Sequence, residues 1–170
     1  MKLETERLSL QPLNETHVED ILKIRSNEVV NQFLHRNPPK SNFDALQFIL
    51  MIAERTKNNE TFYWGISLKN KPNLIGTICL WNFSEDRKTA EVGYELLPEF
   101  HPRGIMTDAL KTVIDFSFKK LQLTEIVAMT NKFNENSKGL LLKNDFILEV
   151  GREDEGFPDN LVFSFKKSSL

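Results

Sequence analysis

The chain has a single cysteine among its 170 residues, so no disulfide can form within it. That residue, Cys79, sits in the apolar run Leu74-Ile75-Gly76-Thr77-Ile78-Cys79-Leu80 with no histidine nearby. It reads as a buried reduced thiol rather than a nucleophile. Histidine is also scarce: His17, His35 and His101 lie far apart and are not joined to cysteine or carboxylates at ligand spacing, so no metal site is expected. No apolar run approaches the roughly 18 residues that span a bilayer. Charge of one sign is lacking too, with a net charge of −2 and a pI near 6.0. A dedicated nucleic-acid binder would carry a basic face, so small molecules or peptides are the better partners. Met1-Lys2-Leu3-Glu4 has no signal-peptide pattern, and the expected location is cytoplasmic. No heptad or exposed patch stands out, which leaves monomer and homodimer both open.

What is present is the composition of a globular protein, 40% hydrophobic and 27% charged. Its length suits one core of ordinary size, so residues 1–170 are read as a single domain. Leu8-Ser9-Leu10 before Pro12 reads as a first strand. Asn14 caps a helix through Val18, Ile21, Leu22 and Ile24, and Ser41 caps another through Leu46, Ile49, Leu50 and Ala53. Thr61 to Leu68 and Leu74 to Phe83 flank a polar turn and predict a hairpin. A strand from Thr89 to Leu96 follows, then the loop Pro98 to Arg103 and a helix from about Met106 to Lys120. The remainder alternates: strand Glu125 to Met129, helix Asn134 to Lys143, strand Phe146 to Val150, and strand Leu161 to Phe165. Strands and helices alternating around a hairpin predict a three-layer α/β sandwich with a mixed sheet covered on both faces.

Two features carry chemistry. A helix N-terminus presents unpaired N–H groups and the positive end of its dipole, and Gly104, just before such a helix, lets a ligand approach the backbone. A phosphate site and a plain αL turn are both open at this point. The Walker and dinucleotide patterns fail, because neither Gly-x4-Gly-Lys-Ser/Thr nor three spaced glycines are there. In the strand Ala90 to Leu96, alternation puts Glu91, Gly93 and Glu95 on one face, and Ala90, Val92, Tyr94 and Leu96 on the other. Of the tryptophans, Trp64 reads as hairpin core, whereas Trp81 and Phe83 share a strand face on which they could wall a pocket. Glu153, Asp154, Glu155 and Asp159 form an acidic turn between the last two strands, open both to solvent and to a cationic ligand.

Taken together, Glu4-Thr5-Glu6-Arg7-Leu8, Ile75-Gly76, Ala90-Glu91-Val92-Gly93-Tyr94, Gly104-Ile105-Met106-Thr107-Asp108-Ala109 and Asn134-Glu135-Asn136-Ser137 resemble, nearly end to end, the GNAT superfamily of N-acyltransferases. Within it, the resemblance is to the ribosomal-protein N-terminal acetyltransferases of RimJ/RimL type. It implies the GNAT fold, with a mostly antiparallel sheet, and acetyl-CoA as co-substrate with no metal. The acceptor it implies is a primary amine, either a protein N-terminus or a small amine; a polyamine, amino sugar or antibiotic is the variant within the enzyme class. The family's loop, Gln/Arg-x-x-Gly-x-Gly/Ala, falls on His101-Pro102-Arg103-Gly104-Ile105-Met106, with Thr107 next, and its amides hold the coenzyme pyrophosphate. His101 and Met106 depart from that pattern, and Pro102 removes a donor. These departures leave a second reading, a non-catalytic acyl-CoA-binding sensor or interaction module.

In the same resemblance Glu91 stands where the family's strand carboxylate acts as general base, directly or through a water, and Glu95 is the second candidate. Asn134 and Ser137 match Asn-x-x-Ser, whose Asn contacts the coenzyme near its pantetheine and whose Ser, or a nearby Tyr, can protonate the leaving thiolate. Asn134 is equally suited to cap its helix. Where the family continues Leu-Gly-Phe, Asn144-Asp145-Phe146 keeps the turn with residues that tolerate the left-handed conformation.

Overall fold

The computed structural model describes residues 1–168. Its centre is an eight-stranded sheet built from β1 (Leu3–Glu4), β2 (Leu8–Pro12), β3 (Phe62–Leu68), β4 (Leu74–Trp81), β5 (Thr89–Leu96), β6 (Glu125–Asn131), β7 (Ile147–Leu148) and β8 (Asn160–Lys166), in the order β1-β2-β3-β4-β5-β6-β8-β7. All neighbours are antiparallel except β5 and β6. Helices α1 (Val18–Ser26), α2 (Glu28–Asn31) and α3 (Asn42–Lys57) lie in chain order between β2 and β3, and α4 (Ile105–Lys119) and α5 (Glu135–Lys143) flank β6. The fold is the mixed, mostly antiparallel sheet with helices on both faces that the sequence predicts.

Local chemistry sets the boundaries. The Asn14 side chain accepts from the Thr16 N–H and starts a short 3₁₀ turn ahead of α1, and the Ser41 hydroxyl accepts from the Asp44 N–H at the head of α3. Where the sequence reading differs, the elements are short or long-range contacts intervene. The two-residue β1 and four-residue α2 are below the length at which a period shows. Pro98–Arg103, expected as a loop, is a 3₁₀ helix. The strand expected over Phe146–Val150 shrinks to β7, because Phe146 is drawn into the core behind the left-handed Asp145.

The two faces of the sheet are packed differently. Leu8, Leu10, Trp64, Ile66, Ile78, Leu80, Ala90, Val92, Ile126 and Ala128 meet Ala109, Leu110, Val113 and Phe116 of α4 and Leu141 of α5 in the main core. On the other side, Ile21, Ile24, Ala45 and Ile49 of α1 and α3 cover only Leu74 and Leu97, with Leu13 and Phe48 at the margin. No helix among the described residues is long and apolar enough to cross a membrane.

Candidate active site

β5 and β6 pair only from Thr89 to Glu91 and from Glu125 to Val127. Beyond that point β5 stays bonded to β4 as far as Leu96, and β6 stays bonded to β8 as far as Asn131. The two strands therefore splay, and the facing backbone groups of Val92–Leu96 and Ala128–Asn131 are left without a ladder partner. A cleft of about 1390 Å³ occupies this wedge and runs over the sheet face that α1 and α3 leave uncovered. Glu91 marks the closed end of the wedge. Gly104, reached from the end of β5, and Asn134, reached from the end of β6, mark its mouth.

At the mouth, Gly104 has φ of +69°, a left-handed conformation that turns the chain from the 3₁₀ helix into α4. The first i→i−4 bond of α4 runs from the Asp108 N–H to the Gly104 carbonyl at 3.1 Å, so the amides of Ile105, Met106 and Thr107 precede the helix ladder. His101, Pro102, Gly104, Met106 and Thr107 line the cleft. Arg103 and Ile105 do not: the Arg103 guanidinium lies over the Phe100 ring at 5.2 Å, and the Ile105 side chain is in the main core. Those two residues can serve a ligand at this turn through their backbones. His101 Nε2 is 2.8 Å from the Leu96 carbonyl, which joins the loop to the end of β5.

Across the mouth, the Asn134 side-chain oxygen accepts from the Ser137 N–H at 3.1 Å and caps α5. The Ser137 hydroxyl is buried and sits 2.6 Å from the Tyr94 hydroxyl, with either able to donate. Burial pushes the Tyr94 phenol up to about 12, partly offset by that bond. Asn144 ties the end of α5 to α4 by donating to the Leu140 carbonyl at 2.8 Å and to the Thr107 hydroxyl at 3.5 Å. Tyr94 is a site residue that the sequence leaves unnumbered; its signal there is a hydroxyl on the otherwise apolar Ala90/Val92/Leu96 face.

The alternation of β5 is as predicted. Glu91, Gly93 and Glu95 lie opposite Trp81, Cys79 and Thr77 of β4 and share their face, with Tyr63 opposite Cys79 on β3. Burial pushes the Glu91 carboxyl up to about 7; a 3.4 Å bond from the Asn82 amide pulls it back, and the charge of Asp154 adds to the rise. Glu95, on the same face, has a different environment. Its Oε1 is paired with Arg36 and, at 3.4 Å, with Arg25, and all three side chains are largely buried. Two guanidinium groups from remote segments make it the anchor of an ion-pair cluster on the cleft wall.

Trp64 is core, with its Nε1 donating to the Met1 carbonyl at 2.8 Å. Trp81, 43% exposed, and Phe83 both line the cleft, but not from one strand face. The left-handed Asn82, at φ +49°, ends β4 and breaks the alternation, so Phe83 packs edge-on against Phe62. Of the acidic turn, only Asp154 lines the cleft; Asp159 pairs with Lys132 at 2.6 Å. The Cys79 thiol is pushed up to about 12, first by burial and then by the Glu95 charge, which keeps it protonated.

Residues 7–147 match the family model described as acetyltransferase (GNAT) domain. An uncharacterized N-acetyltransferase of Bacillus subtilis (strain 168), YoaA, is 31% identical over 170 residues, which cover 97% of this chain and 96% of that protein. The ribosomal-protein-serine acetyltransferase of Escherichia coli (strain K12) is 34% identical over 76 residues, 45% of this chain and 42% of its own. Among solved structures, RimL, a ribosomal L7/L12 alpha-N-protein acetyltransferase in complex with coenzyme A, superposes with a TM-score of 0.84 over 98% of both chains at 17% identity, a likeness of fold.

Proposed function

The chain belongs to the GNAT family of N-acetyltransferases, and on that footing we propose that it is of the RimJ/RimL-like branch and moves the acetyl group of acetyl-CoA to the α-amine of a protein N-terminus. The observation that carries this reading is the wedge between β5 and β6, with a carboxyl shifted towards neutrality at its closed end and a glycine-led helix start at its mouth. The unladdered edges of Val92–Leu96 and Ala128–Asn131 suit an extended ligand that carries amides of its own, as pantetheine does. The amides of Ile105, Met106 and Thr107 suit the diphosphate. They need no particular side chain at His101 or Met106, so those departures from the family pattern are compatible with binding, and Pro102 removes a donor outside this amide set.

Bound acetyl-CoA supplies the thioester that a neutral amine attacks. Glu91, directly or through a water, takes the proton of the acceptor ammonium, and a carboxyl near 7 is well matched to that task. The Tyr94–Ser137 pair gives a proton to the departing thiolate as the carbon–sulfur bond breaks and regains one as the nitrogen sheds its second proton to become the amide. Asn134 spends its side-chain oxygen on capping α5, so its amide nitrogen is the end that meets the coenzyme. Glu95, held by Arg25 and Arg36, shapes the acceptor side rather than moving a proton.

A polypeptide acceptor is compatible with the size of the cleft, which exceeds the roughly 300–1,000 Å³ of a single small-ligand site and so has room for a second ligand beside the coenzyme. It is supported by the exposed apolar residues at the cleft rim: Val29, Leu34, Met51, Trp81 and Phe157. A cytoplasmic location goes with this reading. Thiol release from acetyl-CoA, measured across free and N-acetylated peptides, polyamines and amino sugars, tests it. Turnover with free peptide N-termini and none with blocked ones is expected. Turnover confined to small amines contradicts the acceptor assignment, and tight coenzyme binding with no turnover contradicts catalysis.

A further inference from the structure

Arg7 stands in the segment between β1 and β2, far from the cleft in sequence, and no step above uses it. Its backbone is pinned: its N–H donates to the Thr5 hydroxyl at 3.1 Å, and its carbonyl accepts from the Lys69 N–H at 2.8 Å. From that fixed base the guanidinium reaches the coenzyme loop. Nη1 donates to the Arg103 carbonyl at 2.9 Å, while Nε and Nη2 donate to one oxygen of Asp108 at 2.9 and 2.6 Å. A Cβ added at Gly104 would come within 3.6 Å of Nη2. One side chain therefore grips both sides of the left-handed glycine, the last carbonyl of the 3₁₀ helix and the first acid of α4.

We infer that Arg7 is a positioning residue for the coenzyme: it holds the Arg103–Gly104 turn in its phosphate-receiving shape and screens the Asp108 charge from the incoming diphosphate. This rests on the reading that the Gly104 loop holds the coenzyme. Each half has a physical basis. A planar fork with several donors can fix a carbonyl and a carboxylate at once, which a lysine cannot. A carboxylate in the first turn of a helix stabilises the free helix but competes for the dipole and repels an anion bound at the same end. Asp108 is such a group, and Arg7 is the cation set against it.

The two partners of this ion pair are predicted to differ: loss of Arg7 weakens coenzyme binding and loss of the Asp108 charge does not, a difference that a purely structural pair would not show. Binding of coenzyme A to the purified full chain is measured by titration calorimetry, with steady-state kinetics and thermal melting on the same samples. Arg7→Met raises the Kd for coenzyme A and the KM for acetyl-CoA by about tenfold, with kcat and the acceptor KM within about twofold of wild type. Asp108→Asn leaves that Kd unchanged or lowers it by about two- to threefold, since Arg7 keeps the Arg103 carbonyl and gains charge for the diphosphate. The double variant falls between the two.

Should Arg7→Met not fold, Arg7→Lys keeps the charge and loses the fork, and a threefold or so rise in Kd is expected. An unchanged Kd in a folded Arg7 variant, or an Asp108→Asn variant that weakens binding as much as Arg7→Met, overturns the inference. Gly104→Val separates this from failure of the site itself. If it weakens coenzyme binding while Arg7→Met does not, only the role of Arg7 is lost; if neither changes the Kd, the coenzyme does not sit at this loop.

Discussion

The two faces of the sheet divide the work of the molecule. The face under α4 and α5 is filled with aliphatic and aromatic side chains, and Phe116 meets both Phe62 and Trp64 edge-on at 5.5 Å. The opposite face has apolar cover from α1 and α3 only near Leu74 and Leu97, and its middle carries Tyr63, Thr77, Cys79, Trp81, Glu91 and Glu95. Burial of apolar area stabilises, whereas buried polar groups cost free energy unless they are paired. The sheet thus keeps its stability on the first side, which lends the cleft the Tyr94–Ser137 hydroxyl pair, and its carboxylates and thiol on the other. The splay of β5 from β6 opens the sheet between the two.

The sharpest break between the faces is expected at Phe116. Phe116→Ala should lower the unfolding free energy by about 3–5 kcal/mol in denaturant titrations, with the activity of the molecules that remain folded little changed. Next comes the exception on the cleft face. Glu95→Ala leaves Arg25 and Arg36 buried without their carboxylate, and a loss of about 3 kcal/mol in the same titration is expected, because removing one partner of a buried pair strands the other. A loss below about 1 kcal/mol would show that the cluster is solvated like a surface pair.

Tyr94→Phe should separate the two kinds of effect. It keeps the ring in place and removes the hydroxyl that faces Ser137, so kcat is expected to fall by about 10²-fold while the melting temperature barely moves. Smallest of all is Cys79→Ala, which should stay within about 1 kcal/mol in stability and retain full turnover. The wild-type protein should resist iodoacetamide at pH 8 for the same reason, a thiol held protonated.

The elements that the sequence makes legible are those whose pattern is local. The alternation from Thr89 to Leu96 needs only period two, and the caps Asn14, Ser41 and Asn134 need only the right side chain next to an apolar run. Gly104 is legible as a turn for the same reason. The splay is not, because it depends on where two strands far apart in sequence stop pairing. Nor is the difference between Glu91 and Glu95: they are chemically identical neighbours on one face, and what separates them is Arg25 and Arg36, 70 and 59 residues away from Glu95. Phe83 lines the cleft but faces away from Trp81 for a smaller reason, the left-handed Asn82, which shifts the register of faces by one residue.

The carboxyl of Glu91 ties the folding account to the chemistry. Its native value near 7 lies above the ordinary carboxylate value of 4.5, so the folded state holds a proton that the unfolded state releases. Its contribution to stability is therefore full below about pH 4.5 and is lost as pH rises towards 7, and Glu91→Gln should remove that part of the pH dependence of unfolding. As a base, Glu91 acts only once it has lost that proton, so activity must change in the opposite sense and increase with pH. The pH profile of kcat/KM with a peptide acceptor reads this directly. The amine of a free N-terminus titrates near 8, at roughly 7.7–8.0, and Glu91 takes its proton from the ammonium, so in the wild type log kcat/KM should climb with a slope of one below pH 7 and level off between there and the amine. Glu91→Gln should be slower by about 10²- to 10⁴-fold and climb with a slope of one throughout. A Glu91→Gln variant that keeps full turnover and the same double-limbed profile would contradict the account.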